Sequence, residues 1–140
     1  ASSTGNIYGI YDLSGGTWEW TAGYVVTSGN YQTYGGSLIG ESNKYKSKYA
    51  GTSSTAATNY STSPNTTRVG EAIWETSTSG ADSSKTSWNS DYSCFWYTTV
   101  PFSIRGGHWD YSSNAGVFAF NRNNGYCNYN IGFRPVLVAE

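Results

Sequence analysis

Large aromatic rings in a chain with almost no charge constrain this sequence more than any other feature. Thirteen Tyr, six Trp and five Phe occur in 140 residues, whereas only 12% of positions are Asp, Glu, Lys or Arg. A polar chain poor in rings stays disordered, but rings at this density bury enough surface to drive folding. The length fits one domain, so residues 1–140 are expected to form a single unit. Polarity comes instead from Ser, Thr, Asn, Gly and the Tyr hydroxyls. Eight basic and nine acidic residues leave a net charge of −1, which argues against nucleic acid as a partner held through its phosphates. No apolar run approaches the roughly 18 residues of a membrane span, so no direct membrane insertion by this segment is expected. The chain contains no Met, and Ala1 therefore reads as a processed start or as the beginning of the C-terminal part of a longer protein. Cys94 and Cys127 would form one disulfide or remain two thiols, and no spacing signature decides between them.

Turn signals and alternation divide the chain. Gly15-Gly16 marks a turn, and Thr17-Trp18-Glu19-Trp20-Thr21 alternates as a strand does. Side chains alternate with period two, so Trp18 and Trp20 share the face expected to be buried and Glu19 points away. Residues 27–67 are mostly polar and too long for a simple connection, so a structured surface excursion held by Tyr side chains is expected. Within it, Lys44, Lys46 and Lys48 alternate with Tyr45, Ser47 and Tyr49 and read as a solvated face. Asn59-Tyr60-Ser61 and Asn65-Thr66-Thr67 match the glycosylation sequon, a weak pattern in a Ser/Thr-rich chain. Residues 70–75 are read as a short helix or strand. Trp88, Tyr92, Phe95, Trp96 and Tyr97 are expected in the core. Further strands are expected over 101–107, ending at Gly106-Gly107, over 117–120, and over 131–139. Helix signals are scarce, and the pattern reads as α+β with much loop, or as all-β.

Three stretches carry a family resemblance. Asn6-Ile7-Tyr8-Gly9-Ile10-Tyr11-Asp12-Leu13 precedes Gly15-Gly16-Thr17-Trp18-Glu19-Trp20. Ile104-Arg105-Gly106-Gly107-His108-Trp109 follows, and the chain closes with Ile131-Gly132-Phe133-Arg134-Pro135-Val136-Leu137. In this order they resemble the C-terminal half of the formylglycine-generating-enzyme (sulfatase-modifying factor) family, whose pattern is N-x-x-G-L-Y-D-M-x-G-N-x-W-E-W, then R-G-G-S-W, then G-F-R. The resemblance spans residues 5–137 and is loose over about 27–100. It implies an α+β, C-type-lectin-like fold, with short twisted antiparallel strands under long loops and little helix. It also implies calcium at the turn before W-E-W, with Asp12, Gly15, Thr17 and Glu19 at the matching positions; Gly16 stands where the family has Asn. Oxygen ligands from a tight turn suit that ion, and the alternative is that Asp12 and Glu19 stabilise the turn by hydrogen bonds. No other cofactor is expected. Arg105 and Arg134 fall on motif positions and read as framework hydrogen-bonders.

Fold alone does not assign function. The oxidases of this family carry a cysteine pair just after R-G-G, whereas residues 108–121 contain none, and a single His gives no His-rich metal site. The chain also resembles the variable proteins of diversity-generating retroelements, which display a hypervariable face on a C-type-lectin-like fold. In those systems template adenines are randomised, usually in Asn codons. Such changes give Tyr, His, Asp, Ser, Cys, Arg or Gly, among others, but never Trp, Lys, Glu, Gln or Met.

Residues 108–130 have that composition. With Trp109, Ala115 and the apolar run 117–120 set aside, every remaining position is reachable from an Asn codon, Gly116 and Gly125 included. The window holds no Lys, Glu or Gln, and six of the twelve Asn of the chain fall between 114 and 130. The expected ligand-binding residues are His108, Asp110, Tyr111, Asn121, Arg122, Asn123, Asn124, Tyr126, Cys127, Asn128 and Tyr129. Tyr111, Tyr126 and Tyr129 would be rigid anchors, with Asn, Ser and Gly adapting around them as in an antibody paratope. Trp109 is expected to pack in the framework. The leading expectation is a non-enzymatic binding domain, displayed outside the cell on a bacterial surface or phage particle, for an unidentified protein or surface ligand. A fixed-specificity adhesin or lectin-like domain comes second and a formylglycine-type oxidase third.

Overall fold

The computed structural model describes residues 15–26, 32–49, 77 and 85–133. Asp12, Arg134, the run 51–67 with both sequons, and residues 70–75 lie outside the described residues. Those described form a mixed α/β arrangement with one five-stranded sheet and one α-helix, which agrees with the expected class of little helix. The strands are β1 (Trp18–Val25), β2 (Ser47–Tyr49), β3 (Phe102–Arg105), β4 (Phe120–Asn123) and β5 (Ile131–Gly132), and the helix is α1 (Gln32–Gly40). The turn at Gly15-Gly16, β1 and β3 stand where the sequence predicts them.

The sheet runs β2-β1-β3-β4, with β5 also on β1. It is not wholly antiparallel as expected. β1 is antiparallel to β3, and β3 to β4, but β2 and β5 both pair with β1 in parallel. A parallel neighbour needs a crossover of a dozen or more residues, and the chain between β1 and β2 supplies it with α1 and a 3₁₀ turn at Asn43–Tyr45. Ser42 caps that turn by accepting the Lys44 N–H at 3.3 Å. α1 was not foreseen. Its sequence, Gln-Thr-Tyr-Gly-Gly-Ser-Leu-Ile-Gly, carries three glycines and no apolar stripe, so local propensity argues against it. Tertiary fit holds it: a Cβ on Gly35 would lie inside the Phe102 ring.

β1 carries a bulge. Trp20 faces Ile104 and Tyr24 faces Phe102, so three residues of β1 oppose Ser103 alone. The buried Ser103 hydroxyl fills the gap, bonding to Thr21 Oγ1 and donating to the Gly23 carbonyl at 3.4 Å. A buried hydroxyl is tolerated because its partners are met.

Two clusters make the core. Val25, Tyr49, Phe95, Trp96 and Phe120 form one. Trp18, Tyr92, Cys94, Ile104 and Ala119 form the other, with Trp20, Tyr111 and Ile131 packed against it. Trp18 and Trp20 therefore do face the core. The aromatic stretch is core from Tyr92 to Trp96, but Trp88 is 56% exposed, edge-on to Phe118 at 5.4 Å. The strand expected over 117–120 begins only at Phe120, because residues 117 and 118 form a turn. The final strand is paired at Ile131 and Gly132; residues 134–139 lie outside the described set. No disulfide joins the cysteines: Cys94 is a buried thiol and Cys127 an exposed one. Among the described residues no helix is long and apolar enough to cross a membrane.

Candidate ligand-binding face

Residues 106–119 leave β3 at Gly106-Gly107, both with positive φ, and return to β4. Side chains from outside the segment grip this loop. The buried Asp91 carboxylate accepts the Phe118 N–H at 2.9 Å, Ser87 Oγ donates to the Phe118 carbonyl at 2.9 Å, and Arg105 Nη2 donates to the Val117 carbonyl at 3.3 Å. A Cβ on Gly116 would occupy the space of the Asp91 carboxylate, and one on Gly107 would come within 2.6 Å of Ala115 Cα. Gly116 is thus set by the fold, although an Asn codon could also yield it.

The expected binding residues separate into three kinds. His108 and Tyr111 turn inward. Their rings lie 4.9 Å apart, and Tyr111 stands edge-on to Trp18 at 5.3 Å and to Tyr92 at 5.2 Å. Tyr111 therefore packs with the core and is not an exposed anchor. β4 contributes the second kind. Asn121 pairs with Ile104 and Asn123 with Phe102, whereas Arg122 pairs with Ser103. Alternation therefore sends Arg122 to the opposite face from Asn121 and Asn123. Its guanidinium donates to the Phe95 carbonyl at 3.3 Å and lies 4.3 Å over the Tyr97 ring, a packed cation–π geometry.

The third kind is exposed. Asp110 and Cys127 reach solvent, Tyr126 is 43% exposed and Tyr129 84%. The backbone here is held locally. Asn123 Oδ1 accepts the Gly125 N–H and Asn128 Oδ1 the Tyr129 N–H, each at 2.8 Å. These are the self-capping bonds for which Asn suits turns. The Oδ1 atoms of Asn124 and Asn130 are buried without a hydrogen-bond partner, the state in which a bound water or ligand donor is expected.

Sequence reasoning missed several members of this surface. Trp109 is 68% exposed, not packed in the framework; its backbone N–H is tied to the Gly16 carbonyl at 3.0 Å. Tyr34 of α1 is exposed and lies 6.4 Å from Tyr126. Beside that pair a cavity of about 380 Å3 opens between Trp20, Leu38, Gly35, Phe102 and Gly125. No sequence signal pointed to it, because its walls come from α1, β1, β3 and the β4 tail.

Of the proposed calcium ligands, Gly15 donates its N–H to the Gly106 carbonyl at 3.1 Å, Thr17 is exposed, and Glu19 sits opposite Arg105 in the β1–β3 register. Asp12 lies outside the described residues. Among the described residues no three His, Cys, Asp or Glu side chains gather closely enough to hold a metal. No family model matches the chain, and comparisons with curated proteins and with solved structures find no match.

Proposed function

We propose that this chain is a non-enzymatic ligand-binding domain of C-type-lectin-like type, whose face over about residues 108–130 is diversified by a retroelement. One observation carries the reading. Most side chains that reach solvent there, including Asp110, Tyr126, Cys127 and Tyr129, are polar or aromatic types that an adenine-mutagenised Asn codon yields. Two exposed tyrosines amid short polar side chains give large contact area at low entropy cost. Weak individual sites of this kind gain strength from multivalent display on a cell surface or phage particle. The partner is a protein or surface ligand.

The exposed Trp109 favours a second reading, a fixed-specificity adhesin, because no such codon gives Trp. The genomic locus separates the two. The first reading expects a nearby reverse transcriptase gene and a near-copy of the 3′ coding stretch that differs at template adenines. A locus without that repeat leaves the fixed adhesin.

A further inference from the structure

We propose that a groove on the Arg105 side of the sheet binds a small oxyanion, a carboxylate- or phosphate-bearing molecule of about monosaccharide size. The groove has a volume of about 510 Å3, within the usual size of small-molecule sites. Its walls are the β1 bulge, the 3₁₀ turn with the start of β2, and β3. Ser103 and Arg105 line it, whereas Phe102 lines the cavity beside Tyr126. Alternation along β3 separates Ser103 and Arg105 from Phe102; the two openings meet only at Thr21 and Ala22 of the bulge, and none of residues 108–130 lines this groove.

Charge is the main argument. Three of the eight basic residues, Lys44, Lys46 and Arg105, meet at this groove, and no acidic side chain is among the described residues that line it. The sequence spaces Lys44 and Lys46 as part of a solvated row, yet the 3₁₀ turn brings both to one opening. Among the described residues neither ammonium is paired with a carboxylate. Lys44 Nζ lies 5.5 Å over the ring of Tyr45, which lines the groove, whereas Lys46 lines it with its stem and turns its Nζ to the Ile39 carbonyl and the Tyr24 ring, 5.8 Å away.

Arg105 adds a fork. Among the described residues its guanidinium bonds only the Val117 carbonyl, so most of its five donors stay available for an oxyanion. Burial holds its pKa below the ordinary value, with Tyr49 acting in the opposite sense. Burial makes the Arg105 charge costly and a bound anion lowers that cost, although Glu19 stands opposite Arg105 in the β1–β3 register and shares its face. An excess of positive side chains along a concave lining also concentrates anions. Tyr45 offers an exposed ring and hydroxyl for the rest of the ligand.

The test is amide chemical-shift titration of the 140-residue chain with sodium glucuronate, inorganic phosphate and neutral glucose at millimolar concentration. Saturable shifts at Lys44 to Ser47 are expected with the anions and not with glucose, weakening as salt is raised. Arg105→Lys should weaken binding about tenfold, since a point charge replaces a bidentate fork. Lys44→Gln, at an exposed position, should weaken it about threefold with the fold intact. A response to glucuronate alone assigns the site to carboxylated sugars, one to phosphate alone to phosphate esters, and competition between them to the shared oxyanion. The proposal is overturned if neither anion gives a saturable shift, if glucose matches glucuronate, or if the variants bind like the parent. Should Arg105→Lys fail to fold, Lys44→Gln and Lys46→Gln decide the matter by the same criteria.

Discussion

The loop 106–119 and the tail 123–130 have similar compositions but are held in different ways. Asp91, Ser87 and Arg105 reach into the loop from outside and bind its backbone at Val117 and Phe118. The tail is capped mainly by its own Asn side chains and presents Tyr126, Cys127 and Tyr129 to solvent. A Ser, Gly or Asn can thus be dictated by packing in one stretch and unconstrained in the next. Variation at Tyr126, Cys127 and Tyr129 leaves the core untouched, whereas variation at Gly116 breaks the support of the loop.

Substitutions can break or sharpen this contrast. Gly116→Ala forces the buried Asp91 carboxylate off the Phe118 N–H, and a loss of about 3 kcal/mol is expected in urea unfolding. A loss below that of an ordinary surface change would show the loop to be as tolerant as the tail. Asp91→Ala leaves the Phe118 N–H without its acceptor and should cost about 2 kcal/mol, with Asp91→Asn costing less because an acceptor oxygen remains.

Gly125 is the expected exception within the tail. Its φ is +101°, and a Cβ would come within 2.8 Å of the Phe102 ring and 2.9 Å of Tyr34 Cβ. Gly125→Ala should therefore lower stability by about 1–2 kcal/mol in the same measurement. Tyr129→Ala stands at the other end of the scale. A side chain this exposed should change stability by less than about 0.5 kcal/mol. Once a ligand is identified, however, its loss together with that of Tyr126 should abolish most binding in calorimetry. Unchanged binding would remove the tail from the proposed face.

The expected site was legible only in part. Exposed Tyr126 and Tyr129 lie where the Asn- and Tyr-rich window predicts contact residues. Tyr111 looked the same in sequence but packs against Trp18 and Tyr92, because it follows the turn at residues 109 and 110 that carries the chain back over β1. Arg122 is separated from Asn121 and Asn123 by strand alternation, once β4 is known to extend to Asn123. Trp109 misled because the motif accounts for its presence and not for its exposure.

Local chemistry in the sequence determined the alternation of β1, the alternating β3 with the glycine pair that ends it, and the aromatic core from Tyr92 to Trp96. Each follows from neighbours a few residues apart, through period-two burial or a turn only glycine makes readily. Tertiary structure alone decided the parallel placement of β2 and β5, the glycine-bearing α1 lying on Phe102, and the gathering of Lys44, Lys46 and Arg105. Those arrangements join residues as far apart in the chain as Trp18 and Ile131, and they rest on close packing and charge, which local propensity does not encode.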